Sequence, residues 1–74
     1  MDHKRILIVE DEPEVSSAVR ELLEIFGFKV ETASSGEQGL KKMESFSPHV
    51  LLLDMGLPDI DGYHVLRSVR ERER

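Results

Sequence analysis

Three carboxylates carry the chemistry this sequence offers. Glu10 and Asp11 follow the run Ile6-Leu7-Ile8-Val9, and Asp54 follows the run Val50-Leu51-Leu52-Leu53. A charge at the end of so much apolar surface needs a partner or has a task. Brought together, three carboxylates repel one another, and at least one acquires a raised pKa. A hard divalent cation removes the conflict. Mg²⁺ prefers oxygen ligands, keeps several waters, and is held by one or two carboxylates plus a phosphate oxygen. Gly56 is positioned to turn a backbone carbonyl inward as a further ligand. With its neighbours neutralised, Asp54 becomes a nucleophile towards a phosphoryl group, because carboxylates form aspartyl phosphates. A metal ion also offsets the charge that gathers on the transferred group.

The elements that must position these acids follow from the apolar pattern. Ile6–Val9 and Val50–Leu53 are short continuous apolar runs, which predict strands buried on both faces of a parallel sheet. Pro13 suits the first position of a helix, with Asp11 or Glu12 near its cap. Val15, Ala18, Val19, Leu22, Leu23 and Phe26 then recur at helical spacing, and Gly27 sits where a left-handed cap is expected, so the first helix runs over about 13–26. Phe28–Thr32 alternates apolar and polar residues, which predicts an edge strand. Ser34 and Glu37 have capping-box spacing at the head of a second helix ending near Phe46, with Leu40, Met43 and Phe46 turned inward. Gly36 and Gly39 weaken that helix by roughly 1 kcal/mol each relative to alanine. Asp61 can cap a third helix that turns Tyr63 or Val65, with Leu66 and Val69, to the core.

The resulting pattern is β-α-β-α-β-α, an α/β fold with a parallel sheet and helices on both faces. Burial is best when the two wholly apolar strands lie side by side and the alternating strand lies outside, giving the order 2-1-3. In that order the carboxyl ends of the first and third strands coincide. Glu10 and Asp11 then face Asp54 across one crevice, at the point where ligands bind in open α/β sheets.

Composition narrows the class. The 74 residues allow one domain, near the lower limit for a self-sustaining core. Cysteine is absent, so neither a disulfide nor a thiolate metal site can reinforce it. The net charge of −5 disfavours direct nucleic-acid binding by this segment. No apolar stretch approaches the roughly 20 residues of a membrane span, and no signal-peptide pattern is visible, so a cytoplasmic location is expected. The alternating arginines and acids of residues 67–74 read as a solvated helix end. Asp59 and Asp61 are explained by turn and cap roles, and Glu12 by a cap or a supporting acid. His3, His49 and His64 lack metal-ligand spacing and read as surface or packing residues, and Met43 and Met55 as packing residues.

Two motifs, Arg5-Ile6-Leu7-Ile8-Val9-Glu10-Asp11-Glu12-Pro13 and Leu53-Asp54-Met55-Gly56-Leu57-Pro58-Asp59-Ile60-Asp61-Gly62, resemble the receiver domain of two-component response regulators. Their separation, and Ser35-Gly36 near the second helix, fit as well. The resemblance implies a flavodoxin-like fold, with residues 1–74 forming an incomplete receiver of three strands and three helices. It implies that Asp54 is the phosphoacceptor, that Glu10 and Asp11 are the acidic pair, and that Asp11, Asp54 and the Gly56 carbonyl hold Mg²⁺, with Glu10 acting directly or through water. The donor would be a phosphohistidine on a sensor histidine kinase or phosphotransfer protein, or a small phosphodonor. The family continues with two further βα units that supply a Ser/Thr hydroxyl, an aromatic switch residue and a Lys. None of these can be assigned up to Arg74, so impaired activity is expected of this fragment.

The third strand should be central yet has no partner on its far side in these 74 residues. Its apolar side chains, each worth roughly 1.5–3 kcal/mol when buried, and its open edge predict a homodimer or a strand-exchanged oligomer. Two functions follow: a phosphorylatable, non-enzymatic signalling receiver, or a non-phosphorylated interaction module derived from one. Turnover of a diffusible substrate is disfavoured, since no base, lysine or oxyanion donor set is apparent.

Overall fold

The computed structural model describes residues 3–54 and residue 67. Five elements follow in order: β1 (Arg5–Val9), α1 (Pro13–Ile25), β2 (Lys29–Ala33), α2 (Gly36–Phe46) and β3 (Val50–Leu53). The sheet is parallel with the order β2-β1-β3, as burial required. The expected third helix, with Asp61, Tyr63, Val65, Leu66 and Val69, lies outside the described residues. Arg67 alone of that segment is described, as helical and exposed.

Side chains alternate across β1, and each face meets a different helix. Leu7 and Val9 join Ala33 and Phe46, with Met43, Leu51 and Leu53 packed against them. Ile6 and Ile8 join Val30, with Val19, Leu23 and Phe28 packed against them. α1 therefore covers one face and α2 the other. The chain steps out to β2 over the first face and returns past β1 to β3 over the second. Reversing both direction and face keeps the two crossovers of one hand.

Two glycines make this packing possible. A Cβ on Gly39 would lie 2.8 Å from Val9 Cγ2, so α2 sits too close to β1 to carry a side chain there. The helix propensity that Gly39 sacrifices is thus exchanged for close helix–strand contact. Gly27 adopts φ +90° just past the last turn of α1. Its N–H donates to the Glu24 carbonyl (3.0 Å) and the Phe28 N–H donates to the Leu23 carbonyl (3.2 Å). That is a Schellman motif, with Phe28 and Leu23 meeting the same core cluster.

Four expectations need correction. The N-cap of α2 is Ser35, whose hydroxyl accepts from the Gln38 N–H at 3.1 Å, rather than Ser34. Gln38 Oε1 instead accepts from both the N–H and the hydroxyl of Ser34. Adjacent serines each have a Glu or Gln three residues on, and the second pair is used. β2 begins and ends one residue later than expected. The apolar stripe of α1 is only partly covered: Val19 and Leu23 pack on the sheet, whereas Val15, Ala18, Leu22 and Phe26 are exposed. Finally, β3 is not buried on both faces; Leu51 and Leu53 are half-buried, while Val50 and Leu52 are exposed. Of these exposed residues, Val15 and Leu52 line one groove between α1 and β3.

Candidate acidic metal and phosphoryl site

The site arises where β1 and β3 end. Parallel pairing sets Val9 opposite Leu53, so the next residues, Glu10 and Asp54, emerge level with one another. The Asp54 N–H donates to the Val9 carbonyl at 3.0 Å, and the Glu10 N–H donates to the Ala33 carbonyl at 3.0 Å. The acids therefore leave the sheet from tethered backbone. Pro13 then starts α1 without needing an N–H donor, and the Glu12 carbonyl accepts from Val15 and Ser16. Glu12 occupies the N-cap position through its backbone alone, with no side-chain cap.

Glu10, Asp11 and Asp54 each present a carboxylate oxygen within 4.8 Å of the others. Glu10 and Asp54 are half-buried and Asp11 is exposed. Glu10 Oε1 accepts the Glu12 N–H at 3.1 Å. That bond draws the Glu10 carboxyl towards ionisation, but the opposing influences together prevail and hold its pKa above the usual value. They are burial, the charge of Asp54, and the hydrogen bond and charge of Asp11. The repulsion expected of clustered acids is thus registered at Glu10.

The donor set suits a hard cation. Two oxygens on one Mg²⁺, each at about 2.0–2.1 Å, lie roughly 2.9 Å apart when adjacent and 4.2 Å when opposite. The 4.8 Å limit exceeds the larger spacing by little, and a ligand acting through water spans more. Beside the acids, an apolar groove of about 220 Å³ runs between α1 and β3, walled by Val15, Val19 and Leu52.

Of the residues singled out in the sequence, Glu10, Asp11 and Asp54 are brought together. Gly56, Asp59 and Asp61 lie outside the described residues. His49, expected at the surface or in packing, is exposed, but sequence reasoning missed its hydrogen bond. Its Nδ1 accepts the Arg5 N–H at 2.9 Å, a role no ligand spacing announces. It also missed Lys42, whose Nζ donates to the Thr32 carbonyl at 2.5 Å and lies 3.8 Å from Glu31.

A family model for the response regulator receiver domain matches residues 6–74. The transcriptional regulatory protein TrcR of Mycobacterium tuberculosis is 42% identical over 69 residues, covering 93% of this chain and 27% of that protein. The chain thus spans well under half of the curated relatives it matches. Among solved structures, a CheY-like receiver domain from Methanospirillum hungatei superposes with a TM-score of 0.93 at 34% identity, over 96% of this chain and 57% of that one. TrrA from Thermotoga maritima, solved in complex with Mg²⁺ and BeF, gives 0.89 at 37% identity, over 95% and 61%. These structures share the flavodoxin-like sheet order found here. Sheet, acidic cluster and sequence match agree, and the chain belongs to the response regulator receiver domain family.

Proposed function

We propose that residues 1–74 are the first part of a receiver domain, with Asp54 as phosphoacceptor in two-component signalling. The convergence of Glu10, Asp11 and Asp54 at one sheet edge carries this reading. Asp11 and Asp54 would supply oxygens to Mg²⁺, with the Gly56 carbonyl as a third ligand and Glu10 contributing directly or through water. When bound there, Mg²⁺ would supply charge that offsets the phosphoryl oxygens. Asp54, ionised, attacks phosphorus through a carboxylate oxygen. The bond from phosphorus to the donor breaks, the donor leaves with the electron pair and takes up a proton, and an acyl phosphate remains on Asp54. The donor is a phosphohistidine of a sensor kinase or phosphotransfer protein, or a small phosphodonor, and the setting is the cytoplasm. The chain acts as a signalling module rather than as an enzyme turning over a diffusible substrate.

Incubation with acetyl phosphate and Mg²⁺ tests this. The expected result is a gain of one phosphoryl group by mass, absent without Mg²⁺ and absent in Asp54→Asn. For the 74-residue chain alone, without the lysine and hydroxyl of longer family members, the yield is expected to be low. Equal labelling of wild type and Asp54→Asn would contradict the assignment.

A second reading rests on exposed apolar surface. Val50 and Leu52 on β3, with Val15 and Leu22 on α1, face outward. A receiver half that uses this surface to pair with another copy would serve as an interaction module without phosphorylation.

A further inference from the structure

The end of β1 and β3 opposite the acids carries its own cluster. The Arg5 N–H donates to His49 Nδ1 at 2.9 Å, and the His49 N–H donates to the Arg5 carbonyl at 2.8 Å. Arg5 Nε donates to the Ser47 carbonyl at 2.9 Å. Ser47, which caps α2, holds the left-handed conformation at φ 50°. Three bonds to Arg5 therefore grip the short link Ser47-Pro48-His49 that delivers the chain from α2 into β3. Pro48 offers no N–H to this grip. Asp54 leaves the far end of the same strand.

One of the three bonds depends on protonation. Nδ1 can accept from a backbone N–H only while it carries no proton, so the neutral ring must hold its proton on Nε2. A protonated ring would set N–H against N–H. We propose that His49 is a proton-sensitive clasp: the neutral imidazole closes the amino end of β3 onto β1, and protonation opens it.

The surroundings act in the same sense. The ring is exposed, but partial loss of hydration first, then the charges of Arg5 and Lys4, hold the imidazole pKa below 6.5. Those two cations come from β1 and the residue before it. Ser47 and Pro48 bring no charge, and Ser47 Oγ donates to the carbonyl of Glu44 in the last turn of α2 (3.5 Å). His3 is engaged elsewhere, with Nδ1 2.8 Å from the Gly27 carbonyl. A base whose folded pKa is depressed binds fewer protons folded than unfolded. Stability from the clasp is therefore complete above 6.5 and lost as pH falls from there to the folded value.

NMR on the 74-residue chain, from about pH 8 to about pH 5, tests the clasp. The expected neutral tautomer carries its proton on Nε2, and the ring titrates with a midpoint below 6.5. Hydrogen-exchange protection of the Arg5 amide, corrected for intrinsic exchange, should fall as that midpoint is crossed. The fall is about tenfold for each unit by which the midpoint lies below the ordinary value. His49→Asn offers Oδ1 in place of Nδ1 and cannot be protonated, so its Arg5 protection should stay level. His49→Ala should lack the protection throughout. A proton on Nδ1 of the neutral ring, a midpoint at or above 6.5, equal loss in wild type and His49→Asn, or an Arg5 amide unprotected near pH 8 would each overturn the proposal.

Discussion

β1 and β3 are near-identical in composition and opposite in fate. Ile6, Leu7, Ile8 and Val9 are at most 4% exposed, whereas Val50 and Leu52 are 45% and 39% exposed. Both are short apolar runs that end in acid. The difference lies in what flanks them. β1 has a strand on each side and a helix on each face, whereas β3 has β1 on one side and its described contacts on the α2 face. Burial belongs to a position in the sheet, and the sequence of a strand states only what it can tolerate.

Truncation should expose that contrast most. Leu7→Ala removes a side chain with no exposed surface and should cost about 2–5 kcal/mol, enough to unfold a chain of this size. Leu52→Ala should cost about 1 kcal/mol or less in a monomer. Urea denaturation compares the two. If a second copy covers β3, sedimentation shows an oligomer that Leu52→Asp dissociates. A compact, cooperatively folding monomer at low micromolar concentration would remove that possibility and leave the contrast at full strength.

Gly39→Ala sharpens the account of how β1 is covered. Alanine gains helix propensity of about 1 kcal/mol. The clash with Val9 Cγ2 at 2.8 Å opposes it, and overpacking of this kind costs about 1–3 kcal/mol. Net destabilisation is expected, and Val9→Ala in the same chain should suppress the clash. A more stable single variant would mean that α2 can move off the strand.

Ser35→Ala should lower stability by about 1 kcal/mol, and Ser34→Ala by less, since only Ser35 accepts a helix N–H. Thermal denaturation of the pair would reverse in rank if the cap lay at Ser34.

What could be read beforehand follows from how local each signal is. Apolar runs ending in acid located β1, β3 and the meeting of Glu10, Asp11 and Asp54, because strand burial and sheet-edge charge use neighbouring residues. Gly27 was legible because its left-handed cap needs only the preceding turn. The choice between Ser34 and Ser35 was not legible, since both have a suitable partner three residues on. Coverage of α1 was overstated because helical periodicity marks a stripe without saying how wide a sheet lies beneath it. The hydrogen bond of His49 was not legible because its partner amide is 44 residues away. Gly39 was legible only as a weak helix residue; its use appears once Val9 lies against it.

Titration with Mg²⁺, followed by backbone NMR, probes the heart of this account. Saturable shifts confined to the neighbourhood of Glu10, Asp11 and Asp54, and greatly weakened in Asp11→Asn, are expected. Shifts scattered over the surface acids, or unchanged by Asp11→Asn, would contradict a single cation pocket at the end of the sheet.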